Sequence, residues 1–235
     1  MKAYLTSVQR ASYNYLFAAV LLLLYEIGTF AFEDSGVRNG VDVWFEQFLH
    51  LLPNGTLLVS GGLLLAGIAV VIYDMRQGVE LKLSHFVVMF IESWLWALVV
   101  WFAVVQVVQT ILPNQVGPSG SLTQNIFLSF GAGFYEELFF RLILVKLLEM
   151  GAIVLGYQPQ MIAVRLLVIL ITATLFSLAH FNFIIGDMGD PFALHPFLFR
   201  LVFGMMMSFL LIFRGFGITA WSHALYDVMI FTLRA

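Results

Sequence analysis

Long apolar segments are the feature that most constrains the fold of this chain. A bilayer core about 30 Å thick is crossed by roughly 20 mostly apolar residues in a helix, and the sequence contains about seven segments of that kind. Only 11% of the 235 residues are charged, whereas an ordinary soluble domain has about 25% charged residues. The sequence therefore predicts an all-α, polytopic membrane helix bundle of about seven transmembrane helices. The predicted spans are residues 13–32, 57–73, 86–112, 124–148, 161–180, 196–213 and 216–233.

A shorter stretch, residues 41–52, is amphipathic. It carries Asp42, Glu46 and His50 among aromatic residues and leucine, a pattern typical of a helix in the membrane interface. An eighth embedded segment is the alternative. Ser121 followed three residues later by Gln124 predicts a capping box at the start of the fourth span. The loops are short, so we expect a single membrane domain over residues 1–235.

Composition also excludes several classes of function. The net charge is only −3 and the basic residues are scattered, which argues against a nucleic-acid-binding surface. The sequence contains no cysteine, so disulfides, thiolate metal sites and a cysteine nucleophile are excluded. The first apolar segment is too long for a signal-peptide core and lacks a small-x-small cleavage site, and it therefore indicates an uncleaved span.

The distribution of lysine and arginine predicts the orientation in the cell membrane. With seven spans and a cytoplasmic N-terminus, seven basic residues face the cytoplasm and two face the other side, as the positive-inside rule requires. One span more or fewer would reverse every later loop, so the side to which the site opens depends on that count. The seven are Lys2, Arg10, Arg76, Lys82, Lys146, Arg165 and Arg214.

Three ionisable residues lie within six positions of the fourth span. Glu136, Glu137 and Arg141 stand in otherwise apolar sequence, and a charged residue at the centre of a span costs roughly 2.5–3.5 kcal/mol. Glu137 and Arg141 are spaced i,i+4 and are expected to form an ion pair. Glu136 points elsewhere and remains free for chemistry. The alternatives are a purely structural ion pair and a buried, protonated Glu136 bonded to a neighbouring helix.

Two later spans add further ionisable groups. His180 ends the fifth span, and His223 and Asp227 lie i,i+4 on one face of the seventh. Helix bundles build sites by directing such groups inward from facing helices. Each has a structural alternative, an interfacial histidine for His180 and a polar pair between helices for His223 with Asp227. Gly131 and Gly133 predict a close helix approach beside the carboxylates.

These motifs resemble those of one known family. The pattern Glu-Glu-x-x-x-Arg is present as Glu136, Glu137 and Arg141, Phe-x-x-x-His as Phe176 and His180, and His-x-x-x-Asn/Asp as His223 and Asp227. Their order and spacing resemble the CAAX-protease and bacteriocin-processing (CPBP, or Abi) intramembrane endopeptidases. The resemblance covers about residues 127–231, and we expect a catalytic region at 121–233 within the membrane domain.

The resemblance implies a role for each residue. Glu136 would be the general base that activates a water, with His180 as its partner, and His223 with its i,i+4 partner would stabilise the oxyanion. Independently of the resemblance, the i,i+4 pairing of Glu137 with Arg141 indicates that this pair holds the base in place. Prenyl-CAAX proteases typically have asparagine at the last position, whereas this chain has Asp227. An ionised carboxylate cannot donate to an oxyanion, so Asp227 is expected to orient His223 or to bind a metal. Aspartate at this position fits the broader bacterial branch of the family better than the prenyl-CAAX proteases.

Several alternatives stay open from the sequence. Glu136, His180 and His223 would suit a catalytic zinc ion, although they lack the His-Glu-x-x-His spacing, and metal-independent catalysis is the expectation. The same buried groups could relay protons in a transporter, and a non-catalytic bacteriocin self-immunity protein is a third reading. The expected partners are membrane lipids and a membrane-embedded or lipidated protein or peptide substrate: a prenylated C-terminus, a bacteriocin or pheromone precursor, or a C-terminal sorting signal.

Overall fold

The computed structural model describes residues 2–32, 36, 38–50, 55–111, 121–185 and 189–233. Within these ranges every regular element is a helix, as the sequence predicts. The α-helices are α1 Lys2–Ser7, α2 Ala11–Ala31, α3 Gly40–His50, α4 Gly55–Arg76, α5 Leu83–Ile111, α6 Leu122–Gly131, α7 Leu144–Val154, α8 Ile162–Leu178, α9 Asn182–Ile185, α10 Leu194–Arg214 and α11 Phe216–Leu233. Two π-helical segments, Ala132–Glu136 and Leu138–Ile143, lie between α6 and α7.

Each predicted span corresponds to helix, with one change in the fourth. That segment runs as α6, the two π-helical segments and α7, because the regular hydrogen-bond pattern is interrupted around the two glutamates. The predicted capping box is confirmed, since Ser121 accepts from the backbone of Gln124 and the Gln124 side chain bonds back to Ser121. The amphipathic stretch forms α3; its last two predicted residues, 51 and 52, lie outside the described residues, as does residue 112.

The protein is a membrane protein by the length and exposure of its apolar helices. In the described ranges, α2, residues 83–104 of α5, and α10 are long and apolar enough to cross a bilayer, and α8 is a shorter apolar helix. The total of seven spans and the cytoplasmic N-terminus remain predictions. Large apolar side chains cover the outer faces of these helices, which suits contact with lipid rather than water; among them are Leu95, Phe102, Leu167 and Phe213.

Helix α11 forms the centre of the bundle. It packs against α2, α5, α6, α10 and the first π-helical segment, and every residue from Phe216 to Tyr226 is buried. Because protein and not lipid surrounds it, this helix can carry buried polar residues such as Thr219, Ser222 and His223. Their cost is offset by local bonds: the hydroxyls of Thr219 and Ser222 donate to carbonyls one turn earlier.

The predicted close approach is present at Gly133. A Cβ atom at this position would lie 2.5 Å from the carbonyl oxygen of Ala220 and 2.7 Å from the Cβ of Ala224. Only glycine therefore fits between the π-helical segment and α11. Gly131, in contrast, faces the ring of Tyr25 and not a backbone. The contact at Gly133 holds the two glutamates against the helix that carries His223.

Candidate active site

The two glutamates lie where the backbone hydrogen-bond pattern changes. The π-helical segments end and begin on either side of Glu137. Their bonds run between residues i and i+5, which widens the turn, and such segments are frequent at functional sites. The widened turns alter the directions of the side chains, which a regular helical periodicity does not predict.

Glu136 lies between two histidines and an asparagine. Its Oε2 atom is 3.9 Å from His180 Nε2 and 3.9 Å from His223 Nε2, while its Oε1 accepts a 2.8 Å hydrogen bond from Asn39 Nδ2. The residue is buried, with 8% of its surface exposed. No direct hydrogen bond reaches Oε2 from the described residues, so this oxygen faces both histidines with its acceptor capacity unused.

Glu137 bridges Arg141 and His223. Its Oε2 atom lies 3.3 Å from Arg141 Nε, and the predicted i,i+4 ion pair is therefore present. Its Oε1 atom lies 2.7 Å from His223 Nδ1. The sequence predicts the first contact but not the second, which joins residues 86 positions apart. Glu137 thus orients a histidine across the bundle in addition to pairing with arginine.

Arg141 is a charged side chain that is almost completely enclosed, at 1% exposure. Its guanidinium makes no geometrically good hydrogen bond within the described ranges, despite the short distance to Glu137. The guanidinium carbon instead lies 4.2 Å from the centre of the Phe176 ring, a cation–π contact that stabilises a buried cation. Charge pairing and this ring together hold Arg141 beneath the site.

His180 has its tautomer set by the backbone. Its Nδ1 atom lies 2.8 Å from the carbonyl oxygen of Phe176. A carbonyl can only accept, so Nδ1 carries a proton, and in the neutral ring Nε2 holds a lone pair. That lone pair faces Glu136 Oε2. Phe176 therefore contributes its carbonyl to His180 and its ring to Arg141.

His223 presents its second nitrogen to two carboxylates. With Nδ1 bound to Glu137, Nε2 lies 3.4 Å from Asp227 Oδ2 and 3.9 Å from Glu136 Oε2. The ring packs edge-on against Phe203, with centroids 4.7 Å apart. Asp227 is half-buried at the rim of the cluster, whereas His223 is enclosed. All six residues singled out from the sequence are thus brought into one cluster.

The cluster contains the three side chains considered as zinc ligands. Within the described parts of the chain, no group of three or more His, Asp or Glu side chains has an arrangement that could hold a metal ion. In this trio, Glu136 Oε2 lies 3.9 Å from His180 Nε2 and 3.9 Å from His223 Nε2. Two atoms bound to one tetrahedral zinc ion at about 2.0–2.2 Å lie about 3.3–3.6 Å from each other, so these atoms are a few tenths of an ångström farther apart than zinc ligands would be.

Asn39 is a member of the cluster that sequence reasoning missed. It immediately precedes α3 and is 8% exposed, and it donates to Glu136 across 97 positions of sequence. An asparagine before a helix is a common N-cap, and that was the only signal available. Next to it, burial raises the pKa of the Asp42 carboxyl, while hydrogen bonds from Tyr25 and Arg38 oppose that shift.

A second polar cluster joins α1, α5 and α10. Glu92, to which the sequence assigns no role, binds Arg214 through Nε and, at 2.6 Å, through Nη2. Tyr4 donates its hydroxyl to Oε2 at 2.7 Å, and Trp96 donates to Oε1 at 3.1 Å. Both oxygens of this carboxylate are therefore fully occupied, which makes the cluster a structural link.

The C-terminal half of the chain is similar to one known family. A family model described as type II CAAX prenyl endopeptidase, Rce1-like, matches residues 118–229. The matched region contains all six site residues predicted from the sequence, and it agrees with the resemblance drawn from the three motifs. No curated protein and no solved structure gives a significant match.

Proposed function

We propose that the protein hydrolyses a peptide bond of a membrane-associated substrate with a water activated by Glu136 and His180. The starting point is the match of residues 118–229 to the model of the Rce1-like type II CAAX prenyl endopeptidases. The observation that carries the proposal is the convergence of two histidine nitrogens on one oxygen of Glu136, each at 3.9 Å. This separation is too long for a direct hydrogen bond and suits a bridging water.

The water would be held by two acceptors. Glu136 Oε2 and the lone pair on His180 Nε2 each accept one of its protons, which leaves the lone pairs of the water oxygen free to attack a carbonyl carbon. As the new C–O bond forms, Oε2 takes a proton, which then passes to the nitrogen of the departing amine. General acid–base catalysis of this kind contributes about 10²–10⁴-fold in rate.

His223 would stabilise the developing negative charge. Because Nδ1 points to Glu137, only Nε2 is available to the substrate oxygen, and it can donate there when the ring is protonated on both nitrogens. Glu137 balances the charge of that form and sets the ring orientation. Asp227, at the rim, would orient the same ring, since as an ionised carboxylate it cannot donate.

The substrate is proposed to be a protein or peptide that approaches from the bilayer. The lipid-facing surfaces of the bundle suit a substrate with a lipid anchor or an apolar segment. The family is described as one of CAAX prenyl endopeptidases, so a prenylated C-terminal peptide is the first substrate to examine. Bacteriocin or pheromone precursors and C-terminal sorting signals are the other classes to compare.

Catalysis is proposed to need no metal, with the protons handled by Glu136 and His180. Purified, active protein is expected to contain less than one equivalent of zinc and to keep its rate after dialysis against a chelator. Zinc at one equivalent, together with loss of activity on chelation and recovery on adding zinc back, would replace the water-base mechanism by a zinc-bound water.

The activity itself is tested in proteoliposomes with purified protein. Peptides of each class are supplied, and cleavage is followed by mass spectrometry. Glu136→Gln and His180→Gln keep a polar side chain but remove the groups that can take up a proton, and each is expected to lower kcat by about 10²-fold or more. Glu26→Gln and His50→Gln are the matched controls, since both residues are exposed and lie outside the cluster.

Retention of cleavage in both site variants would contradict the proposal. If no peptide is cleaved by the native protein, proton-coupled transport and bacteriocin immunity become the leading functions. Proton uptake into the same proteoliposomes then tests transport. Survival of bacteriocin-producing cells that carry the protein tests immunity.

A further inference from the structure

We propose that Asn39 is a positioning residue of the active site, and that it assigns the proton-accepting role to Oε2 of Glu136. This inference rests on the proposed function, and it extends the site beyond the region matched by the family. The carrying observation is the 2.8 Å hydrogen bond between Asn39 Nδ2 and Glu136 Oε1. Both residues are buried, so water does not compete for this contact.

The orientation of the Asn39 amide follows from its other contacts. Its Oδ1 atom accepts from the backbone N–H of Val41 at 2.9 Å and from that of Asp42 at 3.4 Å. A rotated amide would direct N–H groups at these two donors and lose both bonds, so the network fixes the assignment. The NH₂ group must therefore face Glu136.

A donor at Oε1 decides where Glu136 can take a proton. A proton on Oε1 would weaken the hydrogen bond from the Asn39 NH₂ group, because a protonated oxygen is a poorer acceptor than an ionised one. Oε2 is the oxygen to which none of the described residues donates, and it is also the one that faces both His180 and His223. Asn39 thus holds the carboxylate so that its free oxygen is directed toward the water.

The position of Asn39 is fixed by a chain of hydrogen bonds that leads away from the site. Its backbone N–H donates to the Tyr25 hydroxyl at 3.0 Å, which in turn donates to Asp42 Oδ2 at 2.7 Å. Arg38 pairs with Asp42 at 2.8 Å and also with Glu46. The start of α3 is therefore anchored to α2, and the anchored end presents Asn39 to Glu136.

Capping and positioning are separable by substitution. Asn39→Asp keeps an acceptor for the backbone of α3, and aspartate is as good an N-cap as asparagine. It removes the donor to Glu136 and places a second carboxylate beside the first. Asn14→Asp is the matched control: Asn14 is also buried, its Oδ1 accepts from Gly217, and its Nδ2 donates to backbone carbonyls far from the site.

The first measurement tests the contact and needs no activity. Thermal unfolding midpoints in detergent are compared for Asn39→Asp in the native and Glu136→Gln backgrounds. In the native background, two adjacent carboxylates are expected to lower the midpoint by about 4 °C or more. In the Glu136→Gln background the new amide can donate to the new carboxylate, so the loss there is expected to be less than half as large. Asn14→Asp should shift the midpoint equally in both, and equal shifts for Asn39→Asp would overturn the contact.

The second measurement tests positioning in the peptidase assay. Asn39→Asp is expected to lower kcat about 10- to 100-fold with KM unchanged, because a misdirected base costs rate and not substrate binding. Asn14→Asp, corrected for the folded fraction, should stay within about twofold of native kcat. A native kcat for Asn39→Asp, with the thermal coupling present, would overturn the positioning role. A native protein without peptidase activity overturns the proposed function and the proton assignment with it, while the thermal comparison alone still decides the contact.

Discussion

The described part of the bundle contains two arginine–glutamate pairs away from its outer surface, Arg141 with Glu137 and Arg214 with Glu92, and they differ in how completely their groups are bonded. Around Glu92, Arg214, Tyr4 and Trp96 supply donors to both carboxylate oxygens. Around Arg141, the guanidinium has one 3.3 Å contact to Glu137 without good hydrogen-bond geometry, and it packs on an aromatic ring. The neighbouring Glu136 keeps one oxygen to which no described residue donates. A saturated carboxylate links helices, whereas one with an open oxygen is able to accept a proton.

The difference has a physical basis in what else each pair contacts. Both oxygens of Glu92 accept from Tyr4, Trp96 and Arg214, which are donors that keep their protons. Glu137 divides its two oxygens between Arg141 and His223, so its charge acts on a second ionisable residue. The same residue types therefore stabilise the fold in one place and prepare chemistry in the other.

The largest effect on stability and cleavage is expected when the Glu137–Arg141 pair is removed in two steps. Glu137→Gln leaves the Arg141 charge buried and unpaired, which should lower the free energy of unfolding by about 3–5 kcal/mol and abolish measurable cleavage. Adding Arg141→Met removes that charge, and thermal stability should return. Cleavage should not return, because His223 still lacks its carboxylate. Recovery of cleavage in the double variant would contradict the role of Glu137 at His223.

A steric change at the helix contact should have the next largest effect. Gly133→Ala would place a methyl group against Ala220 and Ala224, and overpacking of this kind costs about 1–3 kcal/mol. Because the added methyl group would displace the two glutamates, kcat should also fall. Gly151→Ala is the control in α7, where a Cβ would meet nothing within 4 Å; it should stabilise the helix by about 0.5–1 kcal/mol. Similar midpoints for the two variants in detergent would contradict the close approach.

The double exchange in the Glu92 cluster should affect stability alone. Arg214→Met leaves a partly exposed carboxylate that still accepts from Tyr4 and Trp96, and a loss of about 1–2 kcal/mol is expected. Adding Glu92→Gln should recover part of it. Cleavage per folded molecule should match the native protein in both variants. A tenfold fall in kcat would show that this cluster also serves the site.

The smallest effect is expected from removing a single donor of the saturated carboxylate. Tyr4→Phe deletes one hydrogen bond to Glu92 and should lower the free energy of unfolding by about 1 kcal/mol, with kcat unchanged. In the site cluster, by comparison, the loss of one donor in Asn39→Asp is expected to lower kcat. A change in kcat for Tyr4→Phe measured in proteoliposomes would remove that contrast.

Much of the fold was predictable because the bilayer restricts it. A long apolar run with no partner for its backbone in lipid can only be a helix, and the predicted segments correspond to α2, α4, α5, α8, α10, α11 and the composite helix from α6 to α7. Ionisable residues inside such runs are costly, which singled out the six site residues. The Glu137–Arg141 contact followed from i,i+4 spacing alone.

Long-range pairing decided what the sequence could not. The bond from Glu137 to His223, the bond from Asn39 to Glu136 and the saturation of Glu92 by Arg214 each join distant segments, and helical periodicity contains no information about which segments meet. The π-helical segments on either side of Glu137 interrupt the regular helical period, so that period did not reveal them. The sequence by itself determined a helical membrane protein with six chemically competent residues, because burial of charge in an apolar chain is visible residue by residue. Only the tertiary structure decided which oxygen of Glu136 faces the histidines and which is held by Asn39, because that choice depends on donors brought together across the bundle.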